Sequence, residues 1–138
     1  MLKAIAIALV SVGLVFSVAG AVALNHIVDE AQIENVVTGD DASMPNQLVD
    51  DPFTMISQAD NIETHTLART DGLRYSEMAR DNEARPMWVT ATTLRTALHF
   101  GAMAYAFSLF TIVVGALFML NGVALLVVNK RSNAVACC

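Results

Sequence analysis

Two long apolar stretches without an acidic or basic residue constrain this chain more than any other feature. They cover residues 4–24 and 96–128, which contain no Asp, Glu, Lys or Arg and a single histidine, His99. A helix of about 20 apolar residues crosses the roughly 30 Å hydrocarbon core of a bilayer. The pattern therefore predicts two transmembrane helices, of which the second must tilt or extend beyond the membrane.

The charged residues are concentrated between these stretches. All 13 acidic residues lie between Asp29 and Glu83, and they produce the net charge of −5. We therefore predict an all-α integral membrane protein, with two antiparallel transmembrane helices joined by a small, mostly helical extracytoplasmic segment. The acidic balance argues against a nucleic-acid partner. The predicted organisation is helix 1 at residues 1–25, the acidic segment at 26–95, helix 2 at 96–129 and a short tail at 130–138.

The N-terminal stretch has two interpretations. Lys3, the apolar run after it and the sequence Ala21-Val22-Ala23 have the outline of a cleavable secretory signal. The apolar part of such a signal is usually about 7–15 residues long, whereas this one has the length of a membrane span. The length favours an uncleaved signal anchor, and a cleaved signal remains the alternative.

The charges at the ends of the spans predict the orientation. Lys3 precedes the first span, while Lys130 and Arg131 follow the second. Basic residues near a span usually stay in the cytoplasm. We therefore expect both termini in the cytoplasm and residues 26–95 outside a plasma membrane. Arginines just before the second span are the one signal that disagrees.

Aromatic and basic side chains near the ends of spans often anchor a protein at the membrane–water interface. The position of Trp88 suits either this interface or the segment between the spans. Arg95 and His99 lie one helical turn apart, where they would contact lipid headgroups or acids of the same segment. The predicted interfacial residues are Trp88, Arg95, His99, Lys130 and Arg131.

Small residues recur at intervals of seven in both apolar stretches. Membrane helices associate where small side chains let two backbones approach closely, and this interval keeps them facing one partner. The predicted packing seam consists of Ala6, Gly13, Ser17 and Gly20 with Gly101, Ala104, Ser108, Thr111, Gly115 and Gly122. The predicted pairs are Gly20 with Gly101, Gly13 with Ser108, and Ala6 with Gly115. The alternative is a chance repeat of residues that are common in spans.

The acidic segment contains signals for helix ends. The first helix is expected to continue to about Val37, before Gly39. Asp51 suits the N-cap and Pro52 the first position of a further helix, which ends near Asp71-Gly72. Pro86 suits the start of the second long helix.

The helix that begins at Pro52 has an apolar stripe at approximately helical spacing. We expect this stripe to be buried against the projecting ends of the long helices, near Val36-Val37 and Trp88-Val89. Its residues are Phe53, Ile56, Ala59, Ile62 and Leu67.

Few residues have a spacing that is typical of a catalytic or metal-binding site. Asp60, Glu63 and His65 come closest to a metal cluster, but their spacing matches no zinc or calcium motif, and we expect a solvated helix face. Asn121 is expected to donate a hydrogen bond to the first helix or to a neighbour. Motifs for hydrolases and nucleotide binding are absent from the sequence. We therefore expect no catalytic residue, metal or cofactor.

The chain ends in two adjacent cysteines. We expect Cys137 and Cys138 to be two reduced cytoplasmic thiols, because nothing else in the sequence supports lipidation. Lipid groups on these cysteines beside a membrane are the alternative.

Together these features favour a non-catalytic small membrane protein, an accessory or scaffolding subunit of a larger membrane complex. Its partners would be the lipid bilayer and either other membrane subunits or further copies of itself. One alternative is a homo-oligomeric pore or transport component with a path lined by Ser108, Thr111 and Asn121. A second is a small membrane enzyme or metal-binding protein that uses the outer segment.

Overall fold

The computed structural model describes residues 1–136 and is built from α-helices and turns. The helices are α1 at Leu2–Glu34, α2 at Pro52–Arg69 and α3 at Arg85–Ala136. Over the described residues the only β-type pairing is one isolated bridge between Val37 and Leu48. The all-helical fold class is therefore confirmed. Cys137 and Cys138, the candidate lipidation residues, lie outside the described part of the chain.

Helices α1 and α3 are both long and apolar enough to cross a membrane. Helix α3 has 52 residues and, at about 1.5 Å per residue, is roughly 78 Å long. That length is more than twice the hydrocarbon thickness of a bilayer. The prediction of two helices that could span a membrane is confirmed, and so is the prediction that the second is longer than one span requires.

The contacts divide the chain into two compact units. One unit, which we call the helix-pair unit, comprises Met1–Asn25 and the part of α3 that follows Ala106. The other, the central unit, is His26–Ala106. Each long helix contributes residues to both units.

Backbones approach closely at the glycines of the helix-pair unit. A Cβ atom added to Gly13 would lie 2.5 Å from the Gly115 carbonyl oxygen, and one on Gly20 would lie 2.8 Å from that of Ser108. A Cβ atom on Gly122 would lie 2.8 Å from the Ala6 carbonyl oxygen. Only hydrogen fits at these positions, because real Cβ atoms do not approach other heavy atoms so closely.

These contacts correct the predicted pairs. Gly13 meets Gly115 instead of Ser108, Ala6 meets Gly122 instead of Gly115, and Gly20 meets Ser108. Each observed pair is offset by seven residues from the predicted one. The repeat itself explains the error, because a pattern that recurs every seven residues fits two registers that differ by one repeat equally well.

Some predicted seam residues have other surroundings. Gly101 and Ala104 belong to the central unit, where a Cβ atom on Gly101 would lie 3.0 Å from the Met55 sulfur. The Thr111 hydroxyl donates to the Phe107 carbonyl of its own helix at 2.8 Å. The Ser17 hydroxyl is buried against Gly115 without a hydrogen-bond partner among the described residues.

The central unit has a small apolar core, in which Val49, Met55 and Ala102 are buried and Ile27, Ala31 and Leu98 pack around them. Helix α1 ends inside this unit at Glu34, three residues before the predicted Val37. Asn35 has a left-handed backbone with φ of 47°, and Val37 then pairs with Leu48.

Helix α2 begins where the sequence predicts. The Asp51 carboxylate accepts hydrogen bonds from the backbone N–H groups of Phe53 at 2.7 Å and Thr54 at 3.2 Å. Pro52 occupies the first turn, where its missing N–H costs nothing. The helix ends at Arg69, close to the predicted Asp71-Gly72, and both of these residues have positive φ.

The buried face of α2 differs from the predicted apolar stripe. Ala59 is fully buried, but Phe53 is 72% exposed and Ile56 is 42% exposed. The buried residues are Thr54, Met55, Ser57, Ala59, Asn61 and Thr66, so most of them are polar. The prediction is therefore wrong for Phe53 and Ile56, since α2 turns a hydrogen-bonding side toward the segment before it.

Candidate functional site

The segment between α1 and α2 contacts three side chains at successive turns of α2, Ser57, Asn61 and His65. The Ser57 hydroxyl accepts hydrogen bonds from the Met44 backbone N–H at 3.0 Å and from the Ser43 hydroxyl at 2.9 Å. These bonds satisfy polar groups that would otherwise be buried without partners, at a cost of about 1–3 kcal/mol each.

Asp41 receives the other two contacts from α2. Its carboxylate lies 2.9 Å from His65 Nε2 and accepts a hydrogen bond from Asn61 Nδ2 at 3.2 Å. The His65 hydrogen bond, followed by that from Asn61, lowers the pKa of Asp41 below its usual value. Both Asp41 and His65 are exposed, and the arrangement ties the segment to the helix surface.

Glu63 forms ion pairs with two arginines of the central unit. Its carboxylate pairs with Arg74 Nη1 at 2.6 Å and with Arg95 through the other oxygen. The side chains of Glu63 and Arg95 are only 20% and 21% exposed. The prediction of a solvated face is therefore wrong for Glu63. Arg95 contacts an acid of the central unit, which was one of the two alternatives for it.

Trp88 lies inside the central unit. It is 3% exposed, and its indole N–H donates to the Leu73 carbonyl at 2.9 Å, with the Thr70 hydroxyl at 3.3 Å. Of the two positions that the sequence allowed, the structure has the one in the segment between the spans. The ring thereby ties α3 to the turn that follows α2.

The other predicted interfacial residues all lie on α3. His99, Lys130 and Arg131 are all exposed. Their positions near the ends of the apolar stretch remain a prediction of interfacial anchoring.

A crevice of about 250 Å³ lies between α2 and α3 in the central unit. That volume is below the roughly 300–1,000 Å³ that is usual for pockets holding drug-sized ligands. Its walls are Gln58, Asn61, Ile62, His65, Thr66 and Arg69 from α2, with Met87, Thr90, Ala91 and Leu94 from α3. A crevice of this size accommodates a single side chain or a few water molecules.

The three residues that came closest to a metal cluster do not converge. Glu63 binds two arginines, His65 binds Asp41, and Asp60 is exposed. Within residues 1–136, no three His, Cys, Asp or Glu side chains are close enough to hold a metal ion. The geometry of the described residues thus gives the metal-site alternative no support.

Exposed apolar residues on α2 form the feature that sequence reasoning missed. Phe53 and Ile56 are three residues apart, so they lie on neighbouring turns of one side of the helix. Their spacing was visible in the sequence, but it predicted burial inside the chain. An exposed aromatic of this kind is a typical contact residue for another protein.

Comparison with known protein families, curated proteins and solved structures finds no match. The functional conclusion therefore depends on the geometry described above.

Proposed function

We propose that this is an integral membrane protein that acts as a non-catalytic accessory or scaffolding subunit of a larger membrane complex. The observation that supports the proposal is that ionisable side chains of the central unit form contacts within the unit. Glu63, Arg95 and His65 engage neighbouring side chains and hold helices and turns together. These contacts stabilise the fold of the central unit, which in this proposal provides a binding surface for another protein.

In this proposal α1 and α3 cross the bilayer as an antiparallel pair. The order of the glycine contacts supports this arrangement, because positions that ascend in α1 meet positions that descend in α3. The close backbone approach also supports it, since small residues are what membrane helices use to associate. The basic residues at Lys3 and Lys130 favour cytoplasmic termini and a central unit outside the plasma membrane.

The exposed side of α2 supplies the contact surface of the proposed subunit. Phe53 is 72% exposed in an otherwise acidic segment, and aromatic residues contribute strongly to binding between proteins. The alternative of a pore has less support. Ser108 lies in the helix contact, while Thr111 and Asn121 donate to carbonyls of their own helix.

Thiol labelling tests the proposed orientation. With Cys137 and Cys138 replaced by serine, Ser43→Cys should react with a membrane-impermeant reagent in intact cells. Ser132→Cys should react only after the cells are permeabilised. The reverse pattern would overturn the orientation, and release of the protein by alkaline carbonate would overturn membrane insertion itself.

Affinity purification tests the accessory role. Phe53→Ala should lower the recovery of co-purifying membrane proteins about tenfold or more, as for a binding hot spot, while the abundance of the chain stays unchanged. Asp60→Ala is the matched control, because this exposed acid lies on the same helix and should change neither quantity. A loss of function in Asp60→Ala or His65→Ala protein that stays folded, inserted and bound to partners would favour an enzyme or metal-binding protein.

A further inference from the structure

The part of α3 in the helix-pair unit has a second face, which is centred about a third of a turn from Gly115 and Gly122. Its residues alternate in steps of three and four, which are the a and d positions of a heptad repeat. Phe107 and Phe110 are the most exposed of its large apolar side chains, at 70% and 63%. We call this the Asn121 face, and it consists of Phe107, Phe110, Val114, Leu117, Asn121, Ala124 and Val128.

Asn121 is the one polar side chain on this face. It is exposed, and its amide donates one hydrogen to the Leu117 carbonyl at 2.7 Å. An asparagine amide has two donor hydrogens and an acceptor oxygen, so this bond leaves a hydrogen and the oxygen without a protein partner within residues 1–136. Asn121 precedes Lys130 by nine residues, or roughly 13 Å of helix, which places it at hydrocarbon depth in the proposed topology.

We propose that a second copy of this chain docks on the Asn121 face, with Asn121 opposite Asn121 of the partner subunit. This inference depends on the proposed membrane insertion. Lipid tails offer an amide no hydrogen bond, and α1 contacts the glycine side of α3. A two-fold axis through this position pairs each free donor with the acceptor of the other copy, since an amide is complementary to itself.

The heptad position of Asn121 agrees with a parallel pair of α3 helices. Two copies inserted with the same topology present α3 in the same direction. A single asparagine at an a position then meets its counterpart and fixes register and copy number. The neighbouring Ala124 is small and lets the two backbones approach there.

The two basic residues that follow this face lie on different sides of α3. None of its residues carries a charge. Lys130 lies nine residues after Asn121, which at 100° per residue places it on the opposite side of α3. Two copies can therefore approach without bringing these two ammonium groups together. Arg131 does continue the spacing of the face, three residues after Val128. In the proposed topology it lies at the membrane surface, where water screens the two guanidinium groups from each other.

Disulfide crosslinking in native membranes tests the face. In full-length protein with Cys137 and Cys138 replaced by serine, Leu117→Cys and Ala124→Cys should form crosslinked dimers. Val123→Cys is the matched control, because it is 51% exposed at nearly the same depth but points to another side of the helix. It should give little dimer.

Substitution of the amide tests its role. Asn121→Val should weaken dimerisation about tenfold, the effect of two modest hydrogen bonds between membrane helices. Moving the amide in the double variant Asn121→Val with Val123→Asn should not restore the dimer. Dimer fraction is measured from crosslinking yield over a dilution series in lipid.

The outcomes separate this inference from the proposed function. Release of the chain by alkaline carbonate would overturn both. Equal crosslinking at positions 117 and 123 would overturn the docking of a second copy on this face, and an unchanged dimer fraction in Asn121→Val would overturn the pairing of the two asparagines. Either result leaves the proposed function intact, provided that the protein stays in the membrane. Crosslinking at 117 and 124 that is lost with Asn121→Val supports the proposal.

Discussion

Trp88→Ala is expected to lower the free energy of unfolding of the central unit by about 3–5 kcal/mol, the usual effect of removing a buried tryptophan. The ring is 3% exposed and fills space between α3 and the turn after α2. Its loss also leaves the Leu73 carbonyl without the indole donor. Because the apolar core of this unit is small, we expect faster hydrogen exchange across the unit and more rapid proteolysis between α2 and α3.

Phe53→Ala is the control for this result. It also removes an aromatic ring from the central unit, but that ring is 72% exposed, so stability should change by less than about 1 kcal/mol. Equal acceleration of hydrogen exchange in the two variants would show that Trp88 does not organise the unit. The contrast also separates folding from binding, since only Phe53→Ala is expected to affect partner recovery without affecting the fold.

The helix starts could be predicted because their signals are local. The Asp51 carboxylate caps N–H groups only two and three residues away, and Pro52 fits the first turn. The end of α1 was missed because a contact distant in sequence decides it. Val37 pairs with Leu48, and this pairing takes the chain out of the helix although the apolar pattern continues.

The orientation of α2 could not be read from its apolar spacing. A stripe at helical period predicts burial, but the segment before the helix has backbone and hydroxyl groups that need hydrogen-bond partners. Ser57 accepts from the Met44 N–H and the Ser43 hydroxyl. Asn61 donates to the Asp41 carboxylate, so the side of the helix that carries Ser57 and Asn61 is the buried one. The partners of Glu63 were hidden for a similar reason, since Arg74 and Arg95 reach it from different elements.

The seven-residue repeat of small residues shows what sequence periodicity can and cannot specify. Backbones come close at several of its positions, such as Gly13 and Gly115. It left the register open, because shifting one helix by seven residues places another small residue at nearly every contact. Larger side chains between the small ones, such as Phe16 against Phe118 with ring centroids 6.1 Å apart, distinguish the registers.

Gly115→Leu is the sharpest test of that register. A Cβ atom at this position would lie 2.5 Å from the Ser17 hydroxyl oxygen and 2.6 Å from the Gly13 carbonyl oxygen. Neither helix backbone can move aside without losing its neighbouring contacts. We therefore expect a loss of about 3 kcal/mol or more, at the upper end of the range for overpacked cores. Thermal unfolding in a mild detergent measures it.

Ala19→Leu supplies the comparison for Gly115→Leu. Ala19 is a small residue in the facing part of α1, next to Gly20, but its side chain is exposed. A leucine there points away from α3, adds apolar surface and should change the unfolding temperature little. Since both changes insert a leucine into a membrane-length helix, a difference between them reports the helix contact and not hydrophobicity. The same small effect from both substitutions would show that Gly13 and Gly115 do not meet. The register of α1 against α3 described here would then be wrong.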